Sequence, residues 1–356
     1  RSRGLGDVYK RQVMSFVKKF KKNKLGILGL SVIFITFIIS LFGVPFFTDS
    51  TPYANQMNIE LATLAPAQTV SILKIPNPQE KTSVLHDIFI GKKSDYKEIP
   101  ISNFKIQDDA FFYLPLYNSD NWIQVKDQYL MEERTFWLGT DRFGRDYMSR
   151  ILYGSRVSLA VGFISVIISL IIGISLGLIA GYFGGTVDAF VMWLVNVVWS
   201  IPTLLMVIAI SLALGKGFWQ VFVAVGLTMW VELARVVRGQ VMSLKKMEYI
   251  QAAQVLGFGN IRIMFAHILP NIMSPVIVIS AANFASAILM EAGLSFLGIG
   301  AQAPIPSWGS MIKDHYAYII LDKAYLAVAP GMAIMFLVLA FMLLGNMLRD
   351  RLDVRT

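Results

Sequence analysis

The chain has 356 residues, of which 55% are hydrophobic and 15% charged, and its mean hydropathy is +0.59. That is too apolar for a water-soluble domain. Zero cysteines exclude a disulfide framework, a thiolate metal site and a cysteine nucleophile, and the net charge of +9 comes without the interleaved aromatic and basic patches of a nucleic-acid-binding domain.

A membrane helix needs about 20 largely apolar residues. Six stretches qualify, Leu25–Phe47, Val157–Ala180, Phe190–Leu214, Phe218–Ala234, Ile272–Ile299 and Leu326–Leu348. Their continuity excludes an outer-membrane barrel, whose strands alternate in polarity. An all-α integral membrane protein with six transmembrane helices is therefore expected. The fourth stretch is short and carries Glu232 and Arg235 near its end. Ahead of the first span, Arg1–Gln12 has no apolar run and is not a signal peptide. Residues 1–13 read as a non-native extension before Met14, which heads a basic stretch.

The lysines and arginines set the orientation. Lys18, Lys19, Lys21, Lys22 and Lys24 place residues 1–24 in the cytosol as a basic tail. Six spans return the C-terminal tail, residues 349–356 with Arg349, Arg351 and Arg355, to the same side. The loop from Arg235 to Arg262 falls there too, with five basic residues against Glu248. The segment from Thr48 to Arg150, with fourteen acidic and eleven basic residues, must then be outside. The expected order is a first span at 25–47, an extracytoplasmic insert at 48–135, an amphipathic outer helix at 136–155 and a five-helix core at 156–348.

The insert is too long for an ordinary connection. Alternation in Thr69–Ile75 and Glu98–Ile106, punctuated by Pro76, Pro78 and Pro100, predicts short strands and turns. His86, Asp87, Asp108 and Asp109 read as solvated surface rather than a metal or hydrolase site.

The run from Trp137 to Leu159 contains Gly139-Thr140-Asp141 and Gly144-Arg145-Asp146. Thr140 or Asp141 can cap a short helix that gathers Tyr147, Ile151 and Leu152 on one face and Arg145, Ser149 and Arg156 on the other. Such a helix would lie on the outer membrane surface.

A polar helix-turn-helix stretch runs from Glu248 to Asn271, within a cytosolic loop at 235–270. Ala252 and Ala253 leave a helix face without bulk, Gly257 can end that helix, and Pro270 suits the first turn of the next. By spacing alone this is either a docking knob for another protein or a loop packed on its own bundle.

Glu248 to Gly257, continuing to His267-Ile268-Leu269-Pro270-Asn271, resembles the EAA loop of ABC importer permeases. Gln251 stands where the general pattern has Glu and His267 where it has Ile, as in the dipeptide and oligopeptide branch. The 137–159 run resembles the signature before the second helix of the C-type permease subunit of peptide importers, without the His-Pro that often precedes it. Glu291 to Gly300, Pro306-Ser307-Trp308-Gly309 and Gly345 to Asp350 match in order and distance, with Asn346 for a family Asp. The resemblance covers residues 14–47 loosely and 136–356 closely, and omits the insert.

The resemblance implies the type I ABC importer permease fold and a role translocating peptides, or nickel or another small solute. Implied partners are a second homologous permease subunit, two cytosolic ABC ATPases bound at the coupling loop through Glu248, Ala252, Ala253, Gly257, His267, Leu269 and Pro270, and an extracytoplasmic binding protein. The setting would be the cytoplasmic membrane of a bacterium or archaeon, with both termini cytosolic and no nucleic acid bound. No enzyme activity and no cofactor are expected of this chain, with ATP and Mg held by the ATPases. The sequence has no phosphate-binding Gly-Lys loop, since Gly91-Lys92 and Gly215-Lys216 lack the helix-opening context. Glu291 is the candidate outer gate. An ion-driven transporter would bury a relay of ionisable groups, whereas Asp188, Glu232 and Glu291 fall near span ends, where snorkelling to water suffices. An intramembrane hydrolase would need a histidine within a span, and none of the three is so placed.

Overall fold

The computed structural model describes residues 23–78, 83–107, 110–117, 121–125, 128–215 and 217–352. The expected extension at 1–13, and Lys18, Lys19, Lys21, Lys22, Asp108, Asp109 and Arg355, lie outside them. The described chain divides into two compact units. One takes in Ser158–Gly300 together with the first helix up to Ile35 and the last helix from Ile334. The other takes in Thr36–Val157 and Ala301–Ala333.

Five of the described helices are long and apolar enough to cross a membrane: α1 (Lys24–Phe42), α3 (Tyr147–Phe183), α6 (Phe218–Leu244), α8 (Asn260–Phe296) and α9 (Tyr325–Leu352). The stretch read as one span over Phe190–Leu214 is a broken pair, α4 (Gly185–Trp199) and α5 (Thr203–Ala213), bent by 90°. Pro202 explains the break: it has no N–H to continue the ladder and disfavours a helical Ile201 before it. The short fourth stretch is the interior of a 27-residue helix, and 67% of its most apolar window is buried against 17% for α1.

Glycines bring α3 and α6 together. A Cβ at Gly177 would lie 2.7 Å from the Ala234 carbonyl oxygen, and one at Gly173 or Gly181 would press on Leu233 or Val241. Gly226 backs onto Ile168 in the same way, and Gly162 faces the Phe284 ring. Without hydrophobic drive between helices in lipid, such close approach supplies the packing.

The second unit holds an antiparallel sheet of five strands, β1 (Gln68–Pro76), β2 (Tyr96–Gln107), β3 (Ala110–Pro115), β4 (Ile123–Val125) and β5 (Leu130–Phe136), in the order β4-β3-β2-β1-β5. Lys74 pairs with Glu98 and Gln68 with Phe136 in the ladders. A short helix, α2 (Val84–Phe89), intervenes between β1 and β2. The strands expected at Thr69–Ile75 and Glu98–Ile106 fall within β1 and β2. Pro100 lies inside β2, beside the irregularity between Ile101 and Asn103, a setting in which a strand tolerates proline. Apolar clusters cover both faces: Leu61, Val70, Ile72 and Phe136 form one, and Leu73, Ile101, Phe111 and Tyr113 the other.

Candidate functional site

The polar loop is built on the cytosol-assigned end of α6. Lys245 donates from Nζ to the carbonyl oxygen of Tyr182 at 2.6 Å, satisfying an orphan acceptor at the end of α3. After Met247 the chain re-enters a helix, α7 (Glu248–Val255), with exposed Glu248 in its positively polarised first turn. Ile250 and Ala253, one turn apart, point into a core with Leu233, Val237, Val241, Ile263, Met264, Ile268 and Ile272. Ala252 and Gln251 take the exposed face.

Gly257 ends α7 as its position requires. It has φ +77, its N–H donates to Gln254 at 3.0 Å, and the Phe258 N–H donates to Ala253 at 3.1 Å. This pair of bonds is the Schellman arrangement, which favours glycine at the left-handed residue. Phe258 stacks on the His267 ring with centroids 5.8 Å apart, and the Arg262 guanidinium lies 4.5 Å from the Phe258 ring centroid. Tyr182 donates to Asn260 Oδ1 at 2.9 Å. α8 then widens into a π-helical turn over Ile263–Ile268 before Leu269 and Pro270 resume the α-helix. Pro270 offers no N–H, and a proline ring crowds the carbonyl four residues back, so a widened turn before it is a local solution. Pro270 thus stands in the first regular turn, as expected, and Leu269 packs against the core that holds Ala253.

One expectation is corrected. Of the two alanines, Ala253 was expected on the face turned to a partner, but it is 5% exposed and belongs to the chain's own core. Ala252 is the outward one. Around it the loop exposes large apolar side chains: Val255 is 87% exposed and Leu256 73%, with Tyr249, Ile261 and Phe265 also out. Such an apolar display on a polar loop marks an interaction surface.

The outer motif is not a separate surface helix. α3 begins at Tyr147 and runs without interruption into the span, and Arg145, Ser149 and Arg150 are buried. Asp146 is the cap, rather than Thr140 or Asp141: its Oδ2 accepts from the Ser149 N–H at 2.9 Å and from the Ser149 hydroxyl. Burial raises the Asp146 carboxyl above its ordinary pKa, and the Ser149 bonds offset part of this.

Asp141, fully buried, accepts from the N–H groups of Phe143 and Arg145 at 2.8 and 3.0 Å and from Arg145 Nε at 2.6 Å. Arg145 also donates to Asn55 at 2.8 Å, and Thr140 binds Leu61 and Leu64 in the segment after the first helix. Gly139 and Gly144, at φ +71 and +69, lie where a Cβ would strike the carbonyls of Leu64 and Asn58. Gly139, Thr140, Asp141, Gly144 and Arg145 therefore clasp the segment from Asn55 to Leu64 to the start of α3, which Asp146 caps. Sequence reasoning missed Asp49, whose buried carboxylate accepts from the Thr51 and Gln56 N–H groups at 2.9 and 3.0 Å.

Glu291 in α8 is 1% exposed and accepts from the Ser295 hydroxyl at 2.6 Å, and so does not reach water as span-end snorkelling requires. Asp188 is half-buried. It forms a two-point ion pair with Arg238, one contact at 2.6 Å. In the insert, Arg134 makes a similar pair with Glu98 at 2.7 and 2.8 Å, and Lys74 and Glu132 join it around a cavity of about 260 Å³. Glu248, Gly257 and Pro270 are placed by backbone geometry, whereas Ala253, His267 and Leu269 are drawn together by packing.

Residues 173–356 match the family described as binding-protein-dependent transport system inner membrane component, and residues 12–66 match the N-terminal TM domain of oligopeptide transport permease C. The chain is 40% identical over 243 residues to the dipeptide transport system permease protein DppC of Alkalihalophilus pseudofirmus, covering 68% of this chain and 80% of that protein. It is 39% identical to the glutathione transport system permease protein GsiD of Pectobacterium atrosepticum, covering 68% and 80%. Its identity to the oligopeptide transport system permease protein OppC of Bacillus subtilis is also 39%, covering 61% and 71%. Among solved structures, an inward-facing MetNI methionine ABC transporter aligns at TM-score 0.47 and 18% identity, over 57% of this chain and 97% of the matched one. On its sequence matches, the chain belongs to the family of binding-protein-dependent transport system inner membrane components.

Proposed function

We propose that this chain is one of two permease subunits of an ATP-driven importer that translocates peptides handed over by an extracytoplasmic binding protein. The observation that carries the coupling role is the apolar face of Tyr249, Val255, Leu256, Ile261 and Phe265 on the loop assigned to the cytosol. Two cytosolic ATPases, holding ATP and Mg, would seat there against Ala252. The second permease completes the path, the insert faces outward, and both termini face the cytosol. A peptide solute is supported by relatives named for dipeptides, oligopeptides and glutathione. Glu291, buried near the outward end of α8, is the candidate gate group, and Glu291→Gln should lower uptake more than expression.

Proteoliposomes holding both permeases and both ATPases, with binding protein added outside, test this reading. Labelled peptide should accumulate only with ATP on the ATPase side. Accumulation driven by an ion gradient without ATP would sink it.

A further inference from the structure

The described spans turn lipid-like side chains outward, among them Phe34, Ile35, Ile167, Ile171, Met335 and Leu339. Glu232 breaks the pattern. Between Val221 and Val237 every residue of α6 is buried or half-buried except this carboxylate, which is exposed more than three turns from either helix end. A carboxylate exposed on an otherwise apolar span is costly against hydrocarbon, and a face that meets water or another polar surface relieves that cost.

Arg235 lies three residues further along α6 and engages α4. Its guanidinium lies 3.4 Å from the centroid of the Trp199 ring, its Nη2 reaches Asn196 Oδ1 at 3.3 Å, and its buried Nε has no hydrogen-bond partner among the described residues. Trp199 is the last residue of α4 before the 90° break. A guanidinium, a carboxamide and an indole thus gather at a discontinuous helix, one helical turn along α6 from the Glu232 carboxylate, and such helices form solute sites within membranes. Helix interfaces between membrane subunits favour small residues. This face of α6 instead carries Glu232 and Arg235, with Trp199 of α4 stacked on the arginine.

We propose that the Glu232 face of α6 lines the translocation path, with Glu232 selecting the ammonium end of a peptide in transit and Arg235 and Asn196 placed to meet its carbonyl or carboxylate oxygens. The proposal rests on the peptide-import reading above.

The absence of cysteine makes the native chain a ready background for the test. In the complete transporter, Glu232→Cys should react with a water-soluble cationic methanethiosulfonate reagent, whereas Ile171→Cys should not. Separately, uptake of one peptide with a free amino end is compared with uptake of its N-acetylated form. The binding protein contributes equally to wild type and variant, so a change in that ratio reports the permease. Glu232→Gln should reduce the preference for the free amino end at least threefold, with subunit co-purification unchanged. An unlabelled cysteine at 232 alongside normal wild-type uptake would mean that lipid or the partner subunit covers the face, and would overturn the path assignment. Labelling with an unchanged ratio would overturn the selection of ammonium. Failure of wild-type uptake of any peptide would instead sink the peptide reading, while labelling would still report whether the face is wet.

Discussion

Ala252 and Ala253 are neighbours in sequence and opposites in environment, which turns one ambiguous motif into two separable experiments. Ala253→Trp forces an indole into the core shared by Ile250, Ile263 and Ile268, where overpacking typically costs about 1 to 3 kcal/mol. The chain should then melt at a lower temperature in detergent, and ATPase co-purification should fall as a consequence. Ala252→Trp adds the same bulk on the exposed face, so melting should hold while co-purification fails. Unchanged ATPase retention in Ala252→Trp would remove this face from the coupling surface. Small-residue spacing revealed that something packs closely here, and could not reveal which alanine faces which way, because that depends on where the preceding turn releases α7. His315 was not singled out in the sequence at all, being a lone histidine, yet it is 1% exposed. Its Nδ1 meets the Met311 carbonyl oxygen at 2.8 Å and its ring lies between Tyr147 and Tyr318, with Asp141, Asp314 and Arg142 the charges around it. Burial chiefly depresses its pKa, and the bond to Met311 opposes this in part. The unfolded chain therefore takes up the proton first. Stability should be fully present above about pH 6.5, the unfolded value, and be lost as pH falls toward the depressed folded value. Detergent melts from pH 8 to 5 should show that loss in wild type and a flatter profile in His315→Phe. Equal slopes would assign the acid sensitivity elsewhere.

At the scale of elements, packing between α3 and α6 depends on hydrogen atoms at Gly173, Gly177 and Gly181. Gly177→Val places a methyl-bearing carbon against the Ala234 carbonyl and Val237, so detergent stability should drop by about 1 to 3 kcal/mol. Gly239→Ala, in the same helix pair but with nothing within 4 Å, should be neutral or stabilising by about 0.5 to 1 kcal/mol. Equal effects in the two variants would show that close approach does not limit stability. The apolar runs made the bundle legible in advance. The break at Pro202 was present in the sequence too, but hydropathy averages across a single proline. The insert was only half legible. Its β5 strand carries Glu132, Glu133 and Arg134, which break the apolar alternation that marks a strand. Glu132 and Arg134 share one face and are compensated by Lys74 and Glu98 on neighbouring strands, so the polarity is internal to the sheet.

At the scale of the whole molecule, the number of crossings turns on α4 and α5, because a re-entrant pair would give five spans and put the two ends of the chain on opposite sides. Contacts within the bundle argue for a crossing. Along α3 the glycines at 173, 177 and 181 meet Leu233, Ala234 and Val241 in ascending order, so α3 and α6 run in the same direction. Lys245 reaches the Tyr182 carbonyl, and Arg238 reaches Asp188 in the first turn of α4, which puts the end of α3, the start of α4 and the end of α6 at one membrane face. Two parallel spans joined by one connection require it to return across the bilayer. The basic residues of the loop agree, since they bias it to the cytosol while Lys245 caps a helix end and Arg235 stacks on an indole. Lys93 and Lys246 are both exposed, and single cysteines at these positions should therefore label from opposite sides. An impermeant thiol reagent added to intact cells should reach Lys93→Cys and spare Lys246→Cys until the membrane is opened. Labelling of both from outside would mean that α4 and α5 do not cross, and the surface around Ala252 would then face away from any cytosolic ATPase.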